Sequence, residues 1–93
     1  MPLERRITKI EYSSRFLRSF GKLPADMQDR VRERERMFRE NVFDSRLDTH
    51  KLHGRRSGEW SYTVGYDYRV IFVFRGGNET VYLDVGTHDE LYD

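Results

Sequence analysis

Apolar residues alternate with polar ones near the start of the chain, recur at helical spacing through the middle, and alternate again in the last third. From Arg6 to Tyr12, Ile10 and Tyr12 stand opposite Lys9 and Glu11, the period of two expected of a first strand. Ser13 or Ser14 caps a short helix through Phe20, with Phe16, Leu17 and Phe20 on one face and Gly21 as its stop. Pro24 suits the first position of a second helix, and neither Gly nor a further Pro interrupts the segment to about Glu40. Met27, Val31 and Phe38 mark its buried stripe, interrupted near Arg34. The alternating charges of RVRERERMFRE read as its solvated face. Residues 41–56 lack periodicity and read as a loop.

Past that loop the period of two returns. Trp60, Tyr62 and Val64 alternate with Ser61 and Thr63 over Glu59 to Val64, as in a half-buried strand. Tyr68 to Phe74, YRVIFVF, is apolar on both faces and reads as the centre of a sheet. Gly76-Gly77-Asn78 turns the chain, and Thr80 to Val85 returns it as a hairpin. The tail THDELY forms one helical turn capped by Thr87 or lies extended. The order β-α-α-β-β-β predicts one α+β domain over residues 1–93: a small antiparallel sheet, two helices packed on one face, the other face open. Asp67 and Arg69 then lie on one side of the central strand, about 7 Å apart, at an end that solvent reaches.

Hydrophobic residues make up 37% of the chain and charged ones 35%, so the core must draw on six Phe and six Tyr. The absence of cysteine excludes disulfides and thiolate metal sites and suits a reducing compartment. MPLERRITKI has no apolar stretch of signal-peptide length, and no run approaches the roughly 20 residues of a membrane span. A soluble, cytoplasmic protein without a membrane partner is expected. Net charge is only +1, but Arg46, Lys51, Arg55 and Arg56 face a single Asp48 in the loop, whereas Asp84, Asp89, Glu90 and Asp93 make the end acidic. Such a basic loop beside a sheet suits phosphates; it is equally compatible with an ordinary solvated surface.

The strings THKLHG, GEWSYTVGYDYRVIFVF and VGTHDELY, in that order, resemble the RelE/ParE superfamily of bacterial toxins, and most of all its RelE and YafQ-like branch. RFLRSFGKLPADMQDRV resembles the family's helix that leads into Leu-Pro, so the likeness spans nearly the whole chain. The resemblance implies the toxin of a type II toxin–antitoxin system, a ribonuclease that cuts mRNA, usually on the ribosome, and is silenced in a hetero-oligomer with its cognate antitoxin. It also implies site residues. His50 matches a histidine before a Leu-x-Gly turn, Asp67 an aspartate at the head of the central strand, His88 a Gly-Thr-His tail, and Tyr92 an aromatic four residues later. Thr63 stands where YafQ-like members have a second histidine. RelE-type members use lysines and arginines with a terminal tyrosine, the types of Lys51, Arg69 and Tyr92.

RNA cleavage without a metal needs a base for the 2′-OH proton, a cation for the phosphorane charge and an acid for the leaving 5′-oxygen. Imidazole suits the first and third roles, since its ordinary pKa of about 6.5 leaves both protonation states accessible. His50 and His88 are candidates for that pair. Asp67 is placed to orient an imidazole or take the proton itself, Arg69 to hold the scissile phosphate, and Tyr92 to stack on a base or hydrogen-bond the phosphate. No cofactor is expected, and His50 and His53 lack the carboxylate or cysteine that would complete a metal site. Plainer readings stand beside these: His53 as an exposed loop residue, Asp67 and Arg69 as a strand-end ion pair, and Trp60, Tyr62, Tyr68, Phe72 and Phe74 as core. A non-enzymatic toxin that binds DNA gyrase would share the fold without needing His50, Asp67 and His88 together. The third class is an inactive homologue that keeps only antitoxin binding.

Overall fold

The apolar run after Asp67 becomes the middle strand of a five-stranded sheet, because both of its faces have something to bury. The computed structural model describes residues 5–92. Its elements are β1 (Lys9–Tyr12), α1 (Ser14–Gly21), α2 (Ala25–Glu40), β2 (His50–Lys51), β3 (Trp60–Gly65), β4 (Tyr68–Arg75), β5 (Glu79–Thr87) and α3 (His88–Tyr92). Short 3-10 turns lie at Ser45–Leu47 and Gly54–Arg56. The strand order is β1-β5-β4-β3-β2.

The expected α+β class holds, with two corrections to the sheet. It is mixed, not wholly antiparallel: β2, β3, β4 and β5 pair antiparallel, but β1 joins β5 in parallel. The chain leaves β1 through two helices and three strands before β5 returns beside it, and a crossover of that length permits the parallel pairing. The open face is also partly covered, because α3 and the segment after β2 bring Leu91 and Leu52 onto Ile71.

Alternation along β4 separates two clusters. Val70 and Phe72 face the main core with Phe16, Met27, Val31 and Phe38, as the helical stripe predicted. Phe38 is fully buried among the rings of Phe72, Tyr62 and Tyr82, at centroid distances of 4.8, 5.0 and 5.5 Å. The hydroxyls of Tyr62 and Tyr82 bond each other at 2.8 Å inside this core, which satisfies both polar tips. Trp60, Tyr68 and Phe74 pack around it half-buried. Leu17, expected on the buried face of α1, is instead 55% exposed.

The helix ends follow local chemistry. Ser13 Oγ accepts from the Phe16 N–H and donates to the Leu83 carbonyl, so one residue caps α1 and ties it to β5. Pro24 takes the capping position of α2 rather than its first turn. The expected first strand is shorter by three residues, since the Ile7 and Thr8 N–H groups bond Arg39 and Asn78 instead of the sheet. Gly65, with φ at 124°, opens the hairpin to β4; a side chain there would press on Arg30. None of the described helices is long and apolar enough to cross a membrane.

Three tyrosines make stability sensitive to alkali. Burial first, then the Glu35 carboxylate that accepts the Tyr12 hydroxyl at 2.7 Å, push Tyr12 from 10.0 up to about 12. Burial likewise raises Tyr62 and Tyr82 far above the ordinary tyrosine value. A proton held more tightly in the folded state stabilises it fully below the unfolded pKa and is lost as pH rises. Urea denaturation should therefore show constant tyrosine-linked stability below about pH 10 and a fall from there through about pH 12, with a shallower fall in Tyr12→Phe. A flat profile across that range would contradict the buried hydroxyl pair.

Candidate functional site

Sheet register gathers the site. His50 pairs with Ser61, Arg69 pairs with Thr63 on one side and Gly86 on the other, and Ser61 pairs with Ile71. Directly opposed residues of an antiparallel pair present their side chains to the same face. His50, Ser61, Thr63 and Arg69 therefore share the face of Ile71, turned away from the aromatic core. His88 begins α3 just beyond the end of β5.

A cleft of about 310 Å³ on this face is lined by His50, Lys51, Leu52, His53, Arg69, His88 and Tyr92. The small cluster of Leu52, Ile71 and Leu91, with Leu83 and Tyr92 packed against it, gives that side its apolar support. The loop expected over 41–56 thus contributes a short strand, and β2 is what brings His50 to β3.

His50 is oriented from two sides. Its Nδ1 lies 2.9 Å from the Asp48 carbonyl oxygen, which can only accept, so Nδ1 carries the proton of the neutral ring. Asp48 reaches that position with φ at 49°, left-handed backbone that an aspartate tolerates. Nε2 is left as an acceptor, 3.5 Å from the hydroxyl oxygen of fully buried Ser61. Ser61, read from sequence as a polar position on a half-buried strand, thus lies behind the imidazole. Only the pairing of β2 with β3 reveals this.

Arg69 is half-buried, and its Nη1 is buried without a hydrogen-bond partner among the described residues. An unsatisfied buried donor of this kind costs about 1–3 kcal/mol, more where it is charged. His88 packs on Tyr92, ring centroids 4.6 Å apart, and its Nδ1 is 3.7 Å from the exposed Asp89 carboxylate. The extended alternative for the tail does not occur: Thr87 Oγ1 accepts from the Glu90 N–H, and Glu90 Oε1 accepts from the Thr87 N–H at 2.8 Å. This reciprocal cap holds α3, and the Thr87 bonds lower the Glu90 pKa. Gly86 makes room for it, since a Cβ there would meet Glu90 Oε1 at 3.0 Å.

Of the other candidates, Lys51 and His53 line the cleft, whereas Asp67, Arg46, Arg55 and Arg56 do not. Asp67 sits in the turn before β4, exposed and not among the lining residues; its backbone carbonyl accepts the His88 N–H at 3.0 Å. Arg46 grips Asp44 through Nε and Nη2 at 3.0 and 2.7 Å, and holds that carboxyl down to about 2. Arg55 and Arg56 line a neighbouring hollow with His53, Glu59, Leu91 and Tyr92. Arg56 donates to Glu59 and to the Leu91 carbonyl, so it fastens the basic turn to α3. Lys51 lines the cleft, its Nζ 5.7 Å from the centroid of the Trp60 ring. His53, the plainest of the histidines in the sequence, lines both hollows. Among the described residues no group of three His, Asp or Glu is placed to hold a metal ion.

No protein-family model and no curated protein sequence matches the chain. Solved structures do match its fold. The RelBE2 toxin–antitoxin complex from Mycobacterium tuberculosis superposes with a TM-score of 0.77 at 17% identity, over 92% of this chain and 98% of that one. YafQ from E. coli gives 0.76 at 16% identity, over 90% and 97%. The E. coli DinJ–YafQ toxin–antitoxin complex gives 0.73 at 18%, over 98% and 100%. The chain therefore has the RelE/YafQ-like fold that its motifs resemble.

The Asp48 contact fixes an observable tautomer. Long-range 1H–15N correlation spectra of the neutral protein should show His50 protonated at Nδ1 and bare at Nε2. The reverse tautomer would mean that the Asp48 carbonyl does not hold the ring.

Proposed function

We propose that this chain is the toxin of a type II toxin–antitoxin pair, an endoribonuclease that cuts mRNA by attack of a 2′-OH on the adjacent phosphate. The observation that carries this reading is one cleft lined by an imidazole with an acceptor Nε2, an arginine with an unpartnered buried N–H, and a second imidazole packed on a tyrosine. His50 takes the 2′-OH proton at Nε2. The 2′-oxygen bonds to phosphorus as the bond from phosphorus to the 5′-oxygen breaks, and His88 protonates that oxygen. Arg69, which lines the cleft, meets the phosphorane charge with its guanidinium, and Tyr92 offers a ring face to an unpaired base. Base, acid and cation are all supplied by side chains, so the scheme calls on no metal.

Asp67 takes a different part in this reading from the one its strand position suggested. Its carboxylate lies outside the lining, and its carbonyl anchors the start of α3, so it positions His88. Lys51 stands beside the cleft to attract phosphate, and Arg55 borders the neighbouring hollow. Arg46, committed to Asp44, contributes little to RNA binding. The fold match to two toxin–antitoxin complexes supports a cognate antitoxin as partner. Action on mRNA, at the ribosome, implies a cytoplasmic site of action.

His50→Ala and His88→Ala should each lower cleavage by about 10²-fold or more, the usual cost of losing a general base or acid. The wild type should leave a 2′,3′-cyclic phosphate and a 5′-OH, and a 2′-deoxy substitution at the cut should stop it. Unaltered growth arrest with both variants would favour the non-enzymatic, gyrase-binding reading. Products bearing a 5′-phosphate would overturn the 2′-OH mechanism.

A further inference from the structure

A second cleft, about 520 Å³ in volume, runs between α1 and α3 and is larger than the one holding the histidines. Arg15, Arg18 and Lys22 line it from α1 and its C-cap. Their spacing, i, i+3 and i+7, puts three cations on one stripe. Helix α1 has no acidic residue to offset them, and among the described residues none of the three makes a salt bridge. Arg15 stands in the first turn, where the helix dipole disfavours a cation. Folding gains little from this arrangement, since like charges at these spacings repel.

The carboxylates in the cleft have other work. Asp84 Oδ1 accepts the Ser19 hydroxyl at 2.6 Å and the Val85 N–H at 2.9 Å, and Glu90 is held by the Thr87 cap. Lys22 lies near enough to Glu90 to help lower its pKa, but among the described residues none of the three cations is paired with a carboxylate in a salt bridge, and Arg15, Arg18 and Lys22 together outnumber Asp84 and Glu90. The cleft also adjoins, through shared lining residues, the site already described. It shares Arg56 and Leu91 with the hollow beside α3, and that hollow shares His53 and Tyr92 with the histidine cleft. A ligand that follows this path is extended, polyanionic, and passes the histidines.

We propose that the α1–α3 cleft binds the phosphates of the RNA strand beyond the cleavage point, with Arg15, Arg18 and Lys22 as its contacts. The proposal rests on the ribonuclease reading for its ligand. The shared hollow favours RNA over an acidic protein segment, because a single strand held at His50 and His88 is led into it.

The test is fluorescence anisotropy with a 12-nucleotide and a 3-nucleotide RNA, each 2′-deoxy at the cut so that neither is consumed. Arg18→Gln/Lys22→Gln should weaken binding of the long RNA about tenfold at low salt and leave the short one unchanged. The slope of log affinity against log salt should fall by roughly 1.4 for the two lost phosphate contacts. Arg15→Gln/Lys22→Gln serves as a second pair, should the first be poorly folded. Unchanged binding of the long RNA by both pairs would overturn the proposal, as would equal losses on both lengths. Tighter binding of a poly-glutamate peptide than of the long RNA, lost in the same variants, would reassign the cleft to a protein partner. Absence of cleavage by the wild type together with the expected binding pattern would remove the ribonuclease chemistry and leave the RNA cleft standing.

Discussion

The register of β4 against both of its neighbours is the constraint from which the rest follows. With β4 apolar on both faces, one side closes over Phe38 and the tyrosine pair while the other stands on Ile71. A slip of one residue would turn Arg69 into the aromatic core and Val70 out to solvent, at a cost of several kcal/mol for an unpaired buried charge. The same register sets Arg69 between Thr63 and Gly86. Core packing and site geometry are thus one decision made by one strand.

The site face is built with less apolar material than the core face. Among the described residues, Leu52, Ile71 and Leu91, with Leu83 and Tyr92 at their edge, form the apolar cluster beneath α3 and the segment after β2. Polar ties do the remainder: the Thr87–Glu90 cap, the Asp67 carbonyl on His88, and Arg56 bridging Glu59 to Leu91. Hydrogen bonds of this kind contribute about 0.5–1.5 kcal/mol each. A cluster this small, next to that of the main core, is the condition under which a segment opens locally at low cost. The same region is one that a partner protein could remodel at small cost.

How far the sequence carried depended on the range of the interaction that sets each element. The helices, the β4–β5 hairpin and the central place of Tyr68–Phe74 were legible because caps, turn glycines and period act within a few residues. Of the residues that the resemblance named, His50, His88 and Tyr92 come together in one cleft and Asp67 does not. Three features lay beyond that range. The parallel β1–β5 pair joins Lys9 to Glu79, and no local signal marks a partner so distant. His50 sits on a strand of two residues, too short to show a period, and Ser61 becomes its neighbour only through that pairing. Asp67 was expected on one side of the strand with Arg69 because strand geometry was extended back into the turn, where the chain leaves the period of two.

Arg69 shows how stability and chemistry are set against each other. A guanidinium N–H buried without a partner among the described residues is a cost that folding alone would select against. The carboxylate that might have neutralised it, Asp67, is two residues away in the turn and faces no part of the cleft lining. Arg69 lines the cleft and, among the described residues, makes no salt bridge. A phosphate bound there gains more than the same contact would give on an open surface, because the desolvation of Arg69 has already occurred on folding.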